Sequence, residues 1–176
     1  MINVKRGAAL IMTAALASSA IPLGFANVSA LATARVTTDE AKEIAFADAG
    51  CDEGDVTKLK CKYDREDYEY EVDFRYSKAD YDYSIDANGG DILAKSYELV
   101  KKDKGTSGNK IGTQKAKEIA LNDAGVSSAK SIKVKLKTKK KYSYYKVTFV
   151  KDAYDYEYEI NAYTSTINEA EYEIDD

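Results

Sequence analysis

The sequence predicts an α+β protein of two repeated units, each one helix followed by a three- to four-stranded antiparallel meander sheet. Three observations carry this. Sliding the chain by 75 residues aligns 36–100 with 111–175 without a gap, and 23 of the 65 aligned pairs are identical. In each copy a helical stripe comes first and runs of period two follow. The connections between runs are short, which suits antiparallel hairpins rather than crossovers.

The helix is written in AKEIAFADAG (Ala41 to Gly50) and again in AKEIALNDAG (Ala116 to Gly125). Ala41, Ile44, Ala45 and Asp48 fall at i, i+3, i+4 and i+7, one face of a helix. The alanines allow close approach to a sheet. Thr38 and Thr113 are expected N-caps, because a hydroxyl can accept from the free amides of the first turn. Asp39 and Glu40 suit the positive end of the first helix, whereas Gln114 and Lys115 make a weaker start. Gly50 and Gly125 stand where a left-handed residue ends a helix.

The strands follow. In copy one Leu59, Cys61 and Tyr63 face inward, then Tyr68, Tyr70, Val72, Phe74 and Tyr76, then Tyr81, Tyr83 and Ile85. Lysines alternate with the first set and acids with the other two. A turn at Asn88-Gly89-Gly90 leads to a short strand at Asp91–Leu93. Copy two repeats this with Ile132, Val134 and Leu136, then Tyr145, Val147 and Phe149, then Tyr156, Tyr158 and Ile160. Lysine rows beside acid rows favour cross-strand pairing and register. Each unit is small enough to be marginal alone. Tyrosine suits such a sheet, burying a ring while its hydroxyl reaches water.

The organisation is read as a signal segment at 1–30, a first domain at 36–100, a polar linker at 101–110 and a second domain at 111–176. Lys5 and Arg6, an uncharged run and small-x-small sites near Val28-Ser29-Ala30 make a secretory signal. An uncleaved anchor is the rival, since the apolar run approaches a membrane span. Residues 36–100 hold 18 acids against 8 bases. That surplus argues against nucleic acid, whose phosphates need Lys and Arg, and leaves open partners of positive charge. The chain has no histidine, which removes the commonest general base and metal ligand.

With TTDEAKEIAFADAG, YEYEVDFRY and DYDYSIDANGGDIL in copy one, and TQKAKEIALNDAG and YYKVTFVKDAYDYEYEINA in copy two, the chain resembles a tandem pair of PepSY domains. The resemblance covers nearly all of 36–176. Copy two departs at its last turn, where Asn161 to Thr166 contains no glycine. The resemblance implies a secreted or envelope-associated bacterial module without catalysis, acting by protein–protein contact to inhibit or regulate an extracellular peptidase, possibilities that include a secreted metallopeptidase. It implies neither cofactor nor metal.

Cys51 and Cys61 align with Val126 and Leu136, so both occupy apolar slots. Strand geometry places Cys61 over the middle of the helix and Cys51 beyond its end. A disulfide and two separate buried thiols both stay open, the second preferred. The acidic runs at Asp52-Glu53-x-Asp55 and Asp64-x-Glu66-Asp67 lack a calcium-loop pattern and read as solvated turns. The segment KTKKKYSYYK (Lys137 to Lys146) reads as a charged hairpin tip. The alternative function is a cell-envelope interaction protein that binds wall polymer or peptide, an anionic polymer being held here by Lys139, Lys140 and Lys141.

Overall fold

The structure is a computed structural model that describes residues 35–139 and 142–174. The proposed signal segment, Lys140, Lys141 and the last two residues lie outside the described residues. Helix α1 spans Thr38–Ala49, followed by a short 3-10 turn at Glu53–Asp55 and strands β1 (Val56–Asp64), β2 (Glu69–Tyr76), β3 (Ala79–Asp86) and β4 (Ile92–Leu99). Helix α2 spans Gly112–Asp123, followed by β5 (Lys130–Lys139), β6 (Tyr142–Lys151), β7 (Tyr154–Asn161) and β8 (Ile167–Ile174).

The eight strands form one antiparallel sheet in the order β1-β2-β3-β4-β8-β7-β6-β5. The two meanders therefore join edge to edge. β4 pairs with β8 in the register Lys95 to Tyr172 and Tyr97 to Ala170. Each fourth strand is eight residues long, not the three expected at Asp91–Leu93. The extra length comes from pairing on both sides, since β4 lies between β3 and β8.

Both helices lie on one face. Under α1, Val72, Phe74, Tyr83 and Ile85 are buried with Ala41, Ala45 and Phe46. Under α2, Val147, Phe149, Tyr158 and Ile160 are buried with Ala116, Ala120 and Leu121. The alanines are fully buried, so backbone and sheet approach closely, as the repeated string demands. Phe74 stacks on Tyr81 and Phe149 on Tyr156 in equivalent positions, and such pairs add about 0.5–1.5 kcal/mol each.

Several expectations are corrected. Thr37, not Thr38, caps α1: its hydroxyl accepts from the Glu40 amide at 3.2 Å while the Glu40 carboxylate accepts from the Thr37 amide at 2.7 Å. This capping box selects the threonine three residues before a glutamate. Thr113 lies inside α2, and Ile111 at its N-cap makes no side-chain cap. Gly112 and Lys115 occupy the places of Thr37 and Glu40, so the box is lost. Tyr68 does not face the core. It sits in the turn before β2 at φ 57° and is 52% exposed. Leu136, on the outer strand β5, is 43% exposed, at the rim beyond the cover of α2.

The turn in copy two forms without glycine. Gly90 (φ 79°) donates to the Asp86 carbonyl at 2.9 Å, and its counterpart Ser165 (φ 67°) donates to the Asn161 carbonyl at 3.3 Å. Residues after β4 are held in place. The buried Asn161 donates to the carbonyls of Asp103 and Gly105 at 2.9 and 3.1 Å, and the buried Asn168 donates to the Asp103 carbonyl at 3.0 Å. The first half of the polar connection is thus a strap over the end of β7 and β8.

Candidate functional site

The pairing of β4 with β8 relates the two halves by a local two-fold. Adding 75 converts Lys95 to Ala170 and Tyr97 to Tyr172, and the two register pairs exchange. On the helix side of this axis lies a cleft of about 310 Å³, lined from the ends of both helices and from β4, β7 and β8. Its central residues are Asp48, Lys95, Tyr97, Asp123, Tyr158 and Tyr172.

Asp48 and Asp123 are equivalent positions of the repeated ten-residue string, each in the last turn of its helix. Neither last turn contains a basic residue. A helix C-terminus carries roughly half a negative charge, so carboxylates there are locally unfavourable. Tyr83 donates to Asp48 Oδ2 at 2.8 Å, and Lys95 Nζ donates to the same oxygen at 2.7 Å. The Lys95 ammonium also stands 4.9 Å from the Tyr172 ring centroid. In the other half Tyr97 donates to Asp123 Oδ2 at 3.3 Å, and Tyr158 lines the same cleft beside it. Ala170 supplies a methyl group where the first half has an ammonium.

Burial, and then the facing carboxylates, push the Tyr83, Tyr97 and Tyr158 hydroxyls far above their ordinary range. They stay protonated donors at any ordinary pH. Asp123 is exposed at the rim, and desolvation by the protein around its carboxyl raises it. The Tyr158 and Tyr97 hydroxyls and the charge of Lys95 offset part of that rise. The cleft therefore combines two carboxylates, two helix C-termini and tyrosine faces with one ammonium. It offers acceptors and π surfaces.

The opposite face of the sheet is acidic at its centre. Glu157 lies across from Glu171 and Asp155 across from Glu173. Burial first, then Glu173 and Glu157, raise the Glu171 carboxyl. Lys102 of the strap relieves one row by reaching Glu169 at 2.7 Å and Glu98 at 3.0 Å. Glu159 is buried and takes hydrogen bonds from Tyr142 at 2.7 Å and Lys139 at 3.0 Å. Lys139 is thus engaged within the hairpin, while Lys133, Lys135 and Lys137 line the outer strand.

Cys51 and Cys61 are free thiols at the edge of the first core. Cys61 Sγ lies 3.8 Å from the Thr38 carbonyl, over the first turn of α1 and not its middle. Cys51 follows the last turn, its amide donating to the Phe46 carbonyl at 3.0 Å. A 12-residue helix is about 18 Å long, and it separates them. The 3-10 turn at Glu53–Asp55 and the Asp64–Glu66 turn hold the acidic runs, Asp64 accepting from the Glu66 amide at 2.8 Å. Among the described residues no group of three or more Cys, Asp or Glu side chains is arranged to hold a metal ion, and no helix is long and apolar enough to cross a membrane. The sequence alone marks only half of the cleft. Asp48 falls on the inward stripe of its helix, but Lys95 and Tyr97 lie beyond the short strand expected at Asp91–Leu93.

The family described as "Peptidase propeptide and YPEB domain" matches at two segments, 35–95 and 110–175. The chain belongs to the PepSY family. PepSY domains are propeptide or regulatory modules, and no catalytic family is indicated for this chain. An uncharacterized protein of Streptococcus pyogenes serotype M6 is 42% identical over 68 residues, which is 38% of this chain and 52% of that protein. The match thus spans about half the length of that relative. Two solved structures are loosely similar in fold. One is a candidate lipoprotein from Clostridium difficile 630, with 22% identity, covering 79% of this chain and 94% of the other at a TM-score of 0.32. The other is the Bacillus megaterium YpeB C-terminal domain, with 12% identity, 81% and 99% coverage and a TM-score of 0.30.

Proposed function

We propose that this PepSY protein is an exported, non-catalytic binding module that regulates an extracellular peptidase by protein–protein contact. The observation that carries the reading is the double match to a peptidase-propeptide family. In this reading the domains run 36–100 and 111–176, joined by 101–110, behind a signal segment at 1–30. The protein works outside the cell or at the envelope, the usual setting of PepSY proteins. A continuous sheet, acidic at the centre of one face and with a cleft on the other, gives a partner two distinct surfaces to grip. The test is hydrolysis of a fluorogenic peptide by a panel of secreted metallopeptidases, with and without the purified protein. Saturable inhibition or activation is expected. Unchanged rates across the panel would overturn the reading.

A second reading, binding of an anionic wall polymer, is favoured by the lysine row Lys133, Lys135 and Lys137 on the outer strand. It predicts salt-sensitive retention on isolated wall material, lost when these three are replaced by glutamine. Lys139 contributes less than the sequence suggested, because Glu159 already holds it.

A further inference from the structure

We propose that the cleft on the two-fold axis binds a primary ammonium, presented by a lysine side chain of a peptide partner, between Asp123 and the tyrosines of β4 and β7. The inference rests on the reading of this chain as a binding module and names the chemistry its partner displays.

The argument begins with Lys95. This chain already seats an ammonium in one half of the cleft, 2.7 Å from the Asp48 carboxylate and 4.9 Å from the centre of the Tyr172 ring. An ammonium over an aromatic face and against a carboxylate is a complete recognition unit for a cation. The local two-fold repeats the residues of this unit, with the difference that Tyr97 turns its hydroxyl to Asp123 at 3.3 Å. Asp48 becomes Asp123, Tyr83 becomes Tyr158 and Tyr172 becomes Tyr97. Only Lys95 has no counterpart, since Ala170 stands in its place. Without a lysine on that side, the cleft of about 310 Å³ has room for the side chain of a partner.

The electrostatics favour a cation there. The C-terminal ends of both helices bring negative potential to the same space. Lys95 is committed to Asp48, so Asp123 is left with the Tyr97 hydroxyl as donor. The wall opposite is aromatic: Tyr172 packs against Tyr154 and Tyr156 with ring centroids 5.3 and 5.4 Å apart. A neutral alkyl chain would meet the rings but leave the carboxylate unanswered. An acidic group would be repelled. A lysine butylammonium satisfies both parts.

The experiment is titration of the purified full chain with Nα-acetyl-lysine amide, followed by amide chemical shifts and calorimetry, beside the uncharged norleucine analogue. A single charged contact and one or two ring contacts predict saturation with a dissociation constant on the order of 1 mM. Shifts should cluster at Asp123, Tyr97 and Tyr158. Asp123→Asn should weaken binding at least tenfold. Ala170→Lys should abolish it by supplying the missing ammonium from within, so a failure of one variant to fold leaves the other as the test. Absence of saturation at about 10 mM, equal binding of norleucine amide, or unchanged affinity in a folded Asp123→Asn or Ala170→Lys would overturn the proposal. The peptidase assay separates the two readings. Lysine binding without any effect on hydrolysis rejects peptidase regulation and keeps the cleft. An effect on hydrolysis that Asp123→Asn leaves intact, with no lysine binding, rejects the cleft alone.

Discussion

Lys95 and Asp48 lie 47 positions apart in the chain and meet at 2.7 Å, each with 29% of its side chain exposed. The pair ties the centre of the sheet to the end of α1. Lys95→Met keeps the stem and removes the charge. It should cost about 1 kcal/mol, the sum expected of a half-exposed ion pair and a ring contact, and lower Tm by about 2–4 °C. Calorimetry at low salt and in 1 M salt would check this. The difference from the parent should shrink in high salt.

Asn161 has a sharper requirement. Its amide group donates to two carbonyls of the strap and its oxygen accepts from the amides of Tyr163 and Thr164. Asn161→Asp would aim a buried carboxylate at the Asp103 and Gly105 carbonyls. Urea unfolding at neutral pH should show a loss of about 3 kcal/mol or more. The counterpart change Asp86→Asn should cost less than about 1 kcal/mol, because Asp86 only accepts, from Gly89 and Asn88. Equal losses at the two sites would contradict this account.

Glu171 should be a source of instability at neutral pH. Its carboxyl is raised in the folded protein by burial and by the neighbouring carboxylates. A group raised in this way favours folding while protonated, and that advantage fades as pH rises through its folded value. Glu171→Gln should therefore gain stability at pH 7. The exposed setting keeps the gain near the low end of about 0.2–1 kcal/mol. Melting curves from pH 7 down to pH 4 should show parent and variant converging.

The two thiols should stay separate in protein recovered from an oxidising medium. Mass analysis after alkylation in denaturant, without reductant, should show two added groups. In the native state alkylation should be slow. Burial first, and then neighbouring acids, raise the Cys51 thiol, and burial raises Cys61 despite the nearby Lys42 charge. Thiolate is the reactive form. A mass two hydrogens short, with no added groups, would show a bridge instead.

The local pattern was legible in the sequence and the long-range pairing was not. Ala41 and Ala45 revealed the buried helix face because a 3.6-residue period is a property of the segment itself. Val72 and Phe74 were equally clear from a period of two. The exact cap was missed because Thr37 and Thr38 are adjacent, and only Glu40's reach back to the Thr37 amide distinguishes them. Tyr68 continued the alternation on paper but lies within the hairpin turn before β2, at positive φ. Of the cleft, only Asp48 could be read, from the inward stripe of its helix. The rest depends on β4 meeting β8, a register set by residues about 75 positions apart that no local period encodes. The strap was likewise hidden, since Asn161 and Asn168 look like ordinary turn and strand polar residues until Asp103 is placed beside them.

The central place of β8, the eighth strand in chain order, governs how this molecule is assembled. A chain emerging from its N-terminal side can complete α1 and β1 to β4 early, from neighbouring segments. Until β8 arrives, Ala94 to Glu98 form an unpaired border able to accept any strand. Closure waits for segments 92–99 and 167–174 to find each other, a distant and therefore slow encounter. Because β8 is the last strand in the chain, the seam at the sheet's middle is the last that synthesis can supply with a partner.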